Sequence, residues 1–197
     1  GGTYSVCIMR EFSLFARDEN SPIIDWLRSL CRRAHAECDG LPVGAIGMCL
    51  TGGFAVPLMV EPAMMAPVLS QPSIPALFGS SFGVDPADME IARRRCEATR
   101  NDSDQKRVEI RAFRFKNDWL ASPERIKAYQ KYFGPEAFRY MELDDSRQRE
   151  FGKGNHAVFT ADFIAEAGTP TAMAWRELTD FFAMKLVRAT PPASAAR

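Results

Sequence analysis

The sequence predicts an α/β fold, a mostly parallel sheet with helices on both faces. Three observations predict it. Short apolar or alternating runs recur from Val43, at 64–69, at 108–115 and at 137–143. Between them lie stretches whose apolar residues are spaced three and four apart, the period of a helix with one buried face. Cap-plus-proline pairs, Ser21-Pro22, Asp85-Pro86 and Ser122-Pro123, mark where three of those stretches begin. Strands that alternate with helices pair in parallel, because a parallel neighbour is reached only through a crossover connection.

The chain has 197 residues, enough for one sizeable core, and is read as a single domain over 1–189 with a Pro/Ala tail at 190–197 that is expected to be disordered. Lys plus Arg and Asp plus Glu number 25 each, so no global field draws the chain to nucleic acid or anionic lipid. Small molecules are the expected partners. No apolar run reaches the length of a membrane span, and no basic flank precedes an apolar signal core. Five cysteines, an odd number without CxxC spacing, argue against a disulfide scaffold or zinc knuckle and suit a reducing cytoplasm. The Gly-Gly-Thr start, without methionine, is read as an N-terminally incomplete domain.

The first expected helix, 4–17, carries Tyr4, Ile8, Phe12 and Phe15 as its apolar stripe, with Arg10 off it. The second, 22–37, is expected to place Ile23, Ile24, Leu27, Leu30, Cys31 and Ala34 on one face. His35 falls near its end, before the Asp39-Gly40 turn, and thus at the edge of the sheet where the next strand begins.

From Val43 a small apolar strand runs into Gly47-Met48-Cys49-Leu50-Thr51-Gly52-Gly53 and then a helix that Pro57 is expected to kink. Glycines let the backbone turn sharply there and leave Cys49 at the tip, over the free N–H groups of a helix start that favour a thiolate. A packed small residue under a βα turn would have the same local sequence. Residues 64–69 are the next strand, despite Pro67. The Pro/Gly/Ser-rich loop from Gln71 to Gly83 leaves the strand edge beside the cysteine, so Gln71 is a candidate pocket residue.

A helix from Pro86 to about Arg100 carries Arg93-Arg94-Arg95, expected as a solvated face paired with glutamates. The run 108–115 alternates Val108, Ile110 and Ala112 with Glu109 and Arg111, as a strand does. Asp118 and Trp119 follow it on the loop before a helix over 123–133. A strand at 137–143 leads to a polar loop, 144–155, that ends on His156, with a helix expected from Ala157 and another over 169–187.

Cys49, Asp118 and His156 each follow a strand, in the order nucleophile, acid, histidine. His156 is the candidate base, since His35, the only other histidine, sits at the opposite edge. A carboxylate on the far ring nitrogen fixes the tautomer and stabilises the imidazolium. Asp118 is the best placed acid, with Asp144 and Asp145 as alternatives.

The cysteine-bearing turn, the Asp118 loop with its following proline, and His156 on the last loop together resemble the dienelactone hydrolase family of α/β-hydrolases, over roughly residues 4–165. The resemblance implies the C-terminal portion of an α/β-hydrolase fold. It implies a Cys49-Asp118-His156 triad, with the Leu50 N–H as an oxyanion donor and Gln71 and Trp119 at the substrate pocket. It further implies hydrolysis of a carboxylic ester or lactone through a thioester, in the cytoplasm, with no metal and no cofactor. Substrates of that family carry a carboxylate, which needs arginines in the pocket; the sequence leaves open whether Arg10 or Arg111 reaches it. The competing class is a catalytically inactive binding or interaction module on the same fold.

Overall fold

The computed structural model describes residues 21–73, 82–144 and 155–187. The expected helix at 4–17, the tail at 190–197, and most of the loops 71–83 and 144–155 lie outside the described residues.

Four strands, β1 (Val43–Met48), β2 (Met64–Ser70), β3 (Ile110–Phe115) and β4 (Phe138–Leu143), form one sheet in the order β1-β2-β3-β4, and every pair is parallel. Register is continuous along β3 and β4, from Ile110 opposite Phe138 to Phe115 opposite Leu143. All C-terminal strand ends therefore open on one edge.

Helices α1 (Pro22–Glu37), α2 (Pro86–Ala98), α3 (Pro123–Phe133) and α4 (Pro170–Leu186) start by one device. Ser21, Asp85, Ser122 and Thr169 each cap with a side-chain oxygen that accepts a backbone N–H, and proline follows each at the first helical position, where its missing donor costs nothing. Residues of α1, α2 and α3 share a core with Leu69, Ile110 and Ala112 on one sheet face. Residues of α4 pack with Ala66, Val68, Phe113 and Phe115 on the other. Alternation along the strands thus feeds two cores, with helices on both faces.

Pro67 sits inside β2 without breaking the sheet. The ladder with β3 begins only at Val68, so no β3 residue stands opposite the proline.

Three expectations are corrected. The segment after β1 is not an α-helix but two 3₁₀ segments, Cys49–Ala55 and Pro57–Val60. Bonds from Val56 N–H to Gly53 O and from Met59 N–H to Val56 O span three residues, and Pro57 brings no donor to continue an α-helical ladder. Residues 158–162 form turns instead of a helix, because the Asp162 carboxylate curls back to accept the N–H groups of His156 and Ala157, each at 2.8 Å.

Arg95 is not part of a solvated face. Whereas Arg93 and Arg94 pair with Glu90, Arg95 donates to the carbonyls of Met59, Glu61 and Pro62, closing the end of the second 3₁₀ segment.

The charged side of the alternating run 108–115 is buried as well. Glu109 faces Arg111 at 3.0 Å, Arg139 at 3.2 Å and Lys185 of α4 at 3.2 Å. Lys185 is fully buried and also donates to the carbonyls of Asp104 and Arg107. Burial pushes the Glu109 carboxyl up, but Arg111 and Lys185 outweigh it and hold the group below the usual carboxylate range. Arg111 also pairs with Glu177 at 3.0 Å, so it is occupied beneath α4 rather than free at the strand's C-terminal end. Arg10 lies outside the described residues.

Candidate functional site

The turn after β1 is closed by sterics. A Cβ at Gly47 would stand 2.3 Å from Thr51 O, and one at Gly52 2.4 Å from Pro72 Cα. Neither position has room for a methyl group. Cys49 at the tip has φ 53°, the left-handed region that a residue with a Cβ enters at a cost of roughly 1–3 kcal/mol. Thr51 holds the turn from inside: its hydroxyl donates to Met48 O at 2.9 Å and accepts the Met48 N–H at 3.3 Å. Ser73 N–H donates to Cys49 O at 2.8 Å, fastening the turn to the chain that leaves β2. Cys49 is half-buried and its thiol is free. Leu50 follows it in the first turn of the 3₁₀ segment, with its side chain partly exposed.

Asp118 stands three residues beyond β3 and is 3 % exposed. Its N–H donates to Phe115 O, and its Oδ1 accepts the N–H groups of Leu120 at 2.9 Å and Ala121 at 3.2 Å. One carboxylate oxygen therefore builds the turn, which leaves Oδ2 for another partner. That partner is His156, whose Nδ1 lies 2.7 Å away.

His156 is carried by the segment after β4 and fixed there through its own N–H and that of Ala157 on Asp162. The hydrogen bond from Asp118 lifts the ring well above its ordinary value, burial opposes it, and the neighbouring Cys49 lifts it further, to about 9. Cys49 thus borders the ring. Nε2 is buried and meets no group in hydrogen-bonding geometry, a loose contact of the kind that tightens around a bound substrate.

Three side chains from three strand ends accordingly meet at one edge. Gln71 follows β2 with φ 36°, is buried, donates its N–H to Phe113 O at 2.6 Å, and accepts the Ser70 hydroxyl on its side-chain oxygen. Trp119, directly after Asp118, is 69 % exposed. Asp144 is well exposed, 3.8 Å from Lys116, and Asp145 lies outside the described residues. His35 is remote: Nδ1 is 2.7 Å from Leu41 O, just before β1 begins.

Sequence reasoning missed Asp162. Its signal was an acidic residue a short helical reach beyond His156, in a stretch taken for a helix. Among the described residues, no group of three or more His, Cys, Asp or Glu side chains is placed to hold a metal ion, and no helix is long and apolar enough to cross a membrane.

No family model, curated protein or solved structure matches this chain.

Proposed function

We propose that the chain carries a thiol-dependent hydrolase site for a carboxylic ester or lactone, similar to that of the dienelactone hydrolases. The observation that carries this reading is His156 held through Nδ1 on Asp118 at 2.7 Å while Cys49 borders the same ring. A histidine oriented by a carboxylate beside a presented cysteine is the arrangement a thiol nucleophile needs.

His156 takes the Cys49 proton, and the raised ring pKa favours keeping it there. Sγ attacks the carbonyl carbon, forming the carbon–sulfur bond while the carbonyl pair moves onto oxygen. The Leu50 N–H stabilises that oxyanion. Collapse breaks the ester C–O bond, and the imidazolium gives its proton to the departing alkoxide. Water, deprotonated by His156, then attacks the thioester, releasing the carboxylic acid and restoring the thiol. Asp118 keeps its charge throughout and compensates the imidazolium. Gln71 and Trp119 are the proposed walls for the substrate, and neither a metal nor a cofactor enters the reaction. A reducing compartment, the cytoplasm, keeps the thiol competent.

The test is hydrolysis of p-nitrophenyl acetate and of a dienelactone, with mass spectrometry of the quenched enzyme. Turnover with an acyl group on the Cys49 peptide, lost in Cys49→Ala, is the expected result. Unchanged turnover in a folded Cys49→Ala protein removes Cys49 as the nucleophile, and no turnover above background in wild type favours the inactive binding module instead.

A further inference from the structure

Arg114 is the one charged residue on the sheet face defined by Ile110 and Ala112 along β3, where the alternation calls for an apolar side chain. It is 1 % exposed. Burying a guanidinium there is costly unless each of its donors is met. All five are met. Nε donates to Ala121 O at 2.8 Å, one Nη to Glu142 at 2.8 Å and to the Tyr140 hydroxyl at 3.2 Å, and the other Nη to Lys116 O at 3.1 Å and Asp118 O at 3.2 Å.

Three of those acceptors are carbonyls of a single loop, 116–121, and one belongs to Asp118 itself. The two remaining acceptors lie on β4, the strand that leads toward His156. One planar group thereby joins the loop of the acid to the strand preceding the histidine. The carboxylate is locked from the other side by the N–H groups of Leu120 and Ala121, so a shift of the Ala121 carbonyl also moves a donor that orients Asp118.

We propose that Arg114 is a positioning residue of the site: its guanidinium holds the 116–121 loop in the arrangement that points Asp118 Oδ2 at His156. It touches neither His156 nor Cys49, and acts only through Asp118. The reaction affected rests on the hydrolase reading above, whereas the positioning is read on the ring itself. Lysine cannot replace it, since one ammonium with three donors cannot span three loop carbonyls, a carboxylate and a phenol.

The test uses the full chain with Arg114→Lys, Glu142→Gln and the control Arg95→Lys, which loosens a comparable clamp on carbonyls at the second 3₁₀ segment. The His156 ring is titrated by NMR, Cys49 alkylation by iodoacetamide is followed against pH, and kcat and KM are measured on p-nitrophenyl acetate. In Arg114→Lys the ring midpoint is expected to fall by about one pH unit or more, with kcat down about tenfold or more and KM within about twofold. Glu142→Gln is expected to move the ring the same way by less, and Arg95→Lys not at all.

A folded Arg114→Lys protein with an unshifted ring overturns the proposal. Should that variant not fold, an unshifted ring in Glu142→Gln does so, and an equal shift in Arg95→Lys overturns it as general loosening. A shifted ring in a wild type and variant series that turns over no ester leaves the positioning intact and removes the hydrolase reading.

Discussion

Gly52 and Pro72 close on each other so tightly that a Cβ on the glycine would stand 2.4 Å from the proline Cα. The proline is backbone at the exit of β2, so it has no side-chain freedom with which to yield. Gly52→Ala is therefore expected to destabilise the fold by roughly 1–3 kcal/mol, the usual cost of overpacking, and to slow Cys49 alkylation by displacing the turn. Urea unfolding and a timed iodoacetamide assay measure the two effects. A variant as stable and as reactive as wild type would show that the turn has slack.

The ring of His156 is expected to titrate near 9 by NMR, and Asp118→Asn to bring it down toward its ordinary 6.5, because the Asp118 hydrogen bond is the largest cause of the shift. The effect on stability has a definite sign. A pKa raised on folding stabilises fully below about 6.5, and that contribution is lost as pH rises through about 9. The stability gap between wild type and His156→Gln should narrow across that window. A gap that widens would contradict the assignment.

Thiol labelling distinguishes the four described cysteines. Burial pushes the Cys96 thiol up to about 12 and raises that of Cys31 as well. At pH 7 iodoacetamide is expected to modify Cys49 first, the exposed Cys38 more slowly, and Cys31 and Cys96 only on unfolding. Peptide mass spectrometry over a time course gives the order. Cys38 labelled before Cys49 would remove the case for an activated thiol.

Glu109 is the counter-ion of three cations, one of them wholly buried. Glu109→Gln leaves Lys185 and Arg111 underpaired and is expected to cost about 3–5 kcal/mol. Replacing Glu109 and Lys185 together by leucine should recover part of that loss. Chemical denaturation of the single and double variants provides the comparison.

Most of the frame could be read from the chain because its signals are local. Ser21-Pro22, Asp85-Pro86 and Ser122-Pro123 fix three helix starts by one cap and one missing donor each. The errors came where a distant partner decides. Glu109 and Arg111 alternate with apolar residues, and their burial is made tolerable by each other and by Arg139, Glu177 and Lys185, partners far along the chain. Arg114 offered a signal that went unused, a charge in register with Ile110 and Ala112. Asp118 builds its turn with one oxygen, and its second oxygen has a separate partner that no local pattern encodes. After Cys49 the chain takes a 3₁₀ path from the start, and Pro57, expected to kink an α-helix, instead opens a second 3₁₀ segment.

Strand order equals chain order across the sheet. Among the described strands, each one after β1 leaves the ribosome beside a neighbour already made, and none must be threaded between two finished ones. Asp118 and His156 are 38 residues apart, a distance that takes roughly two to eight seconds to synthesise at common elongation rates. For that interval the nascent chain already carries Cys49 and Asp118 but not yet His156. The ring arrives after all four strands of the described sheet, so birth order itself delays the thiol's pairing until β4 has been made, with α4 and its share of the second core still to come.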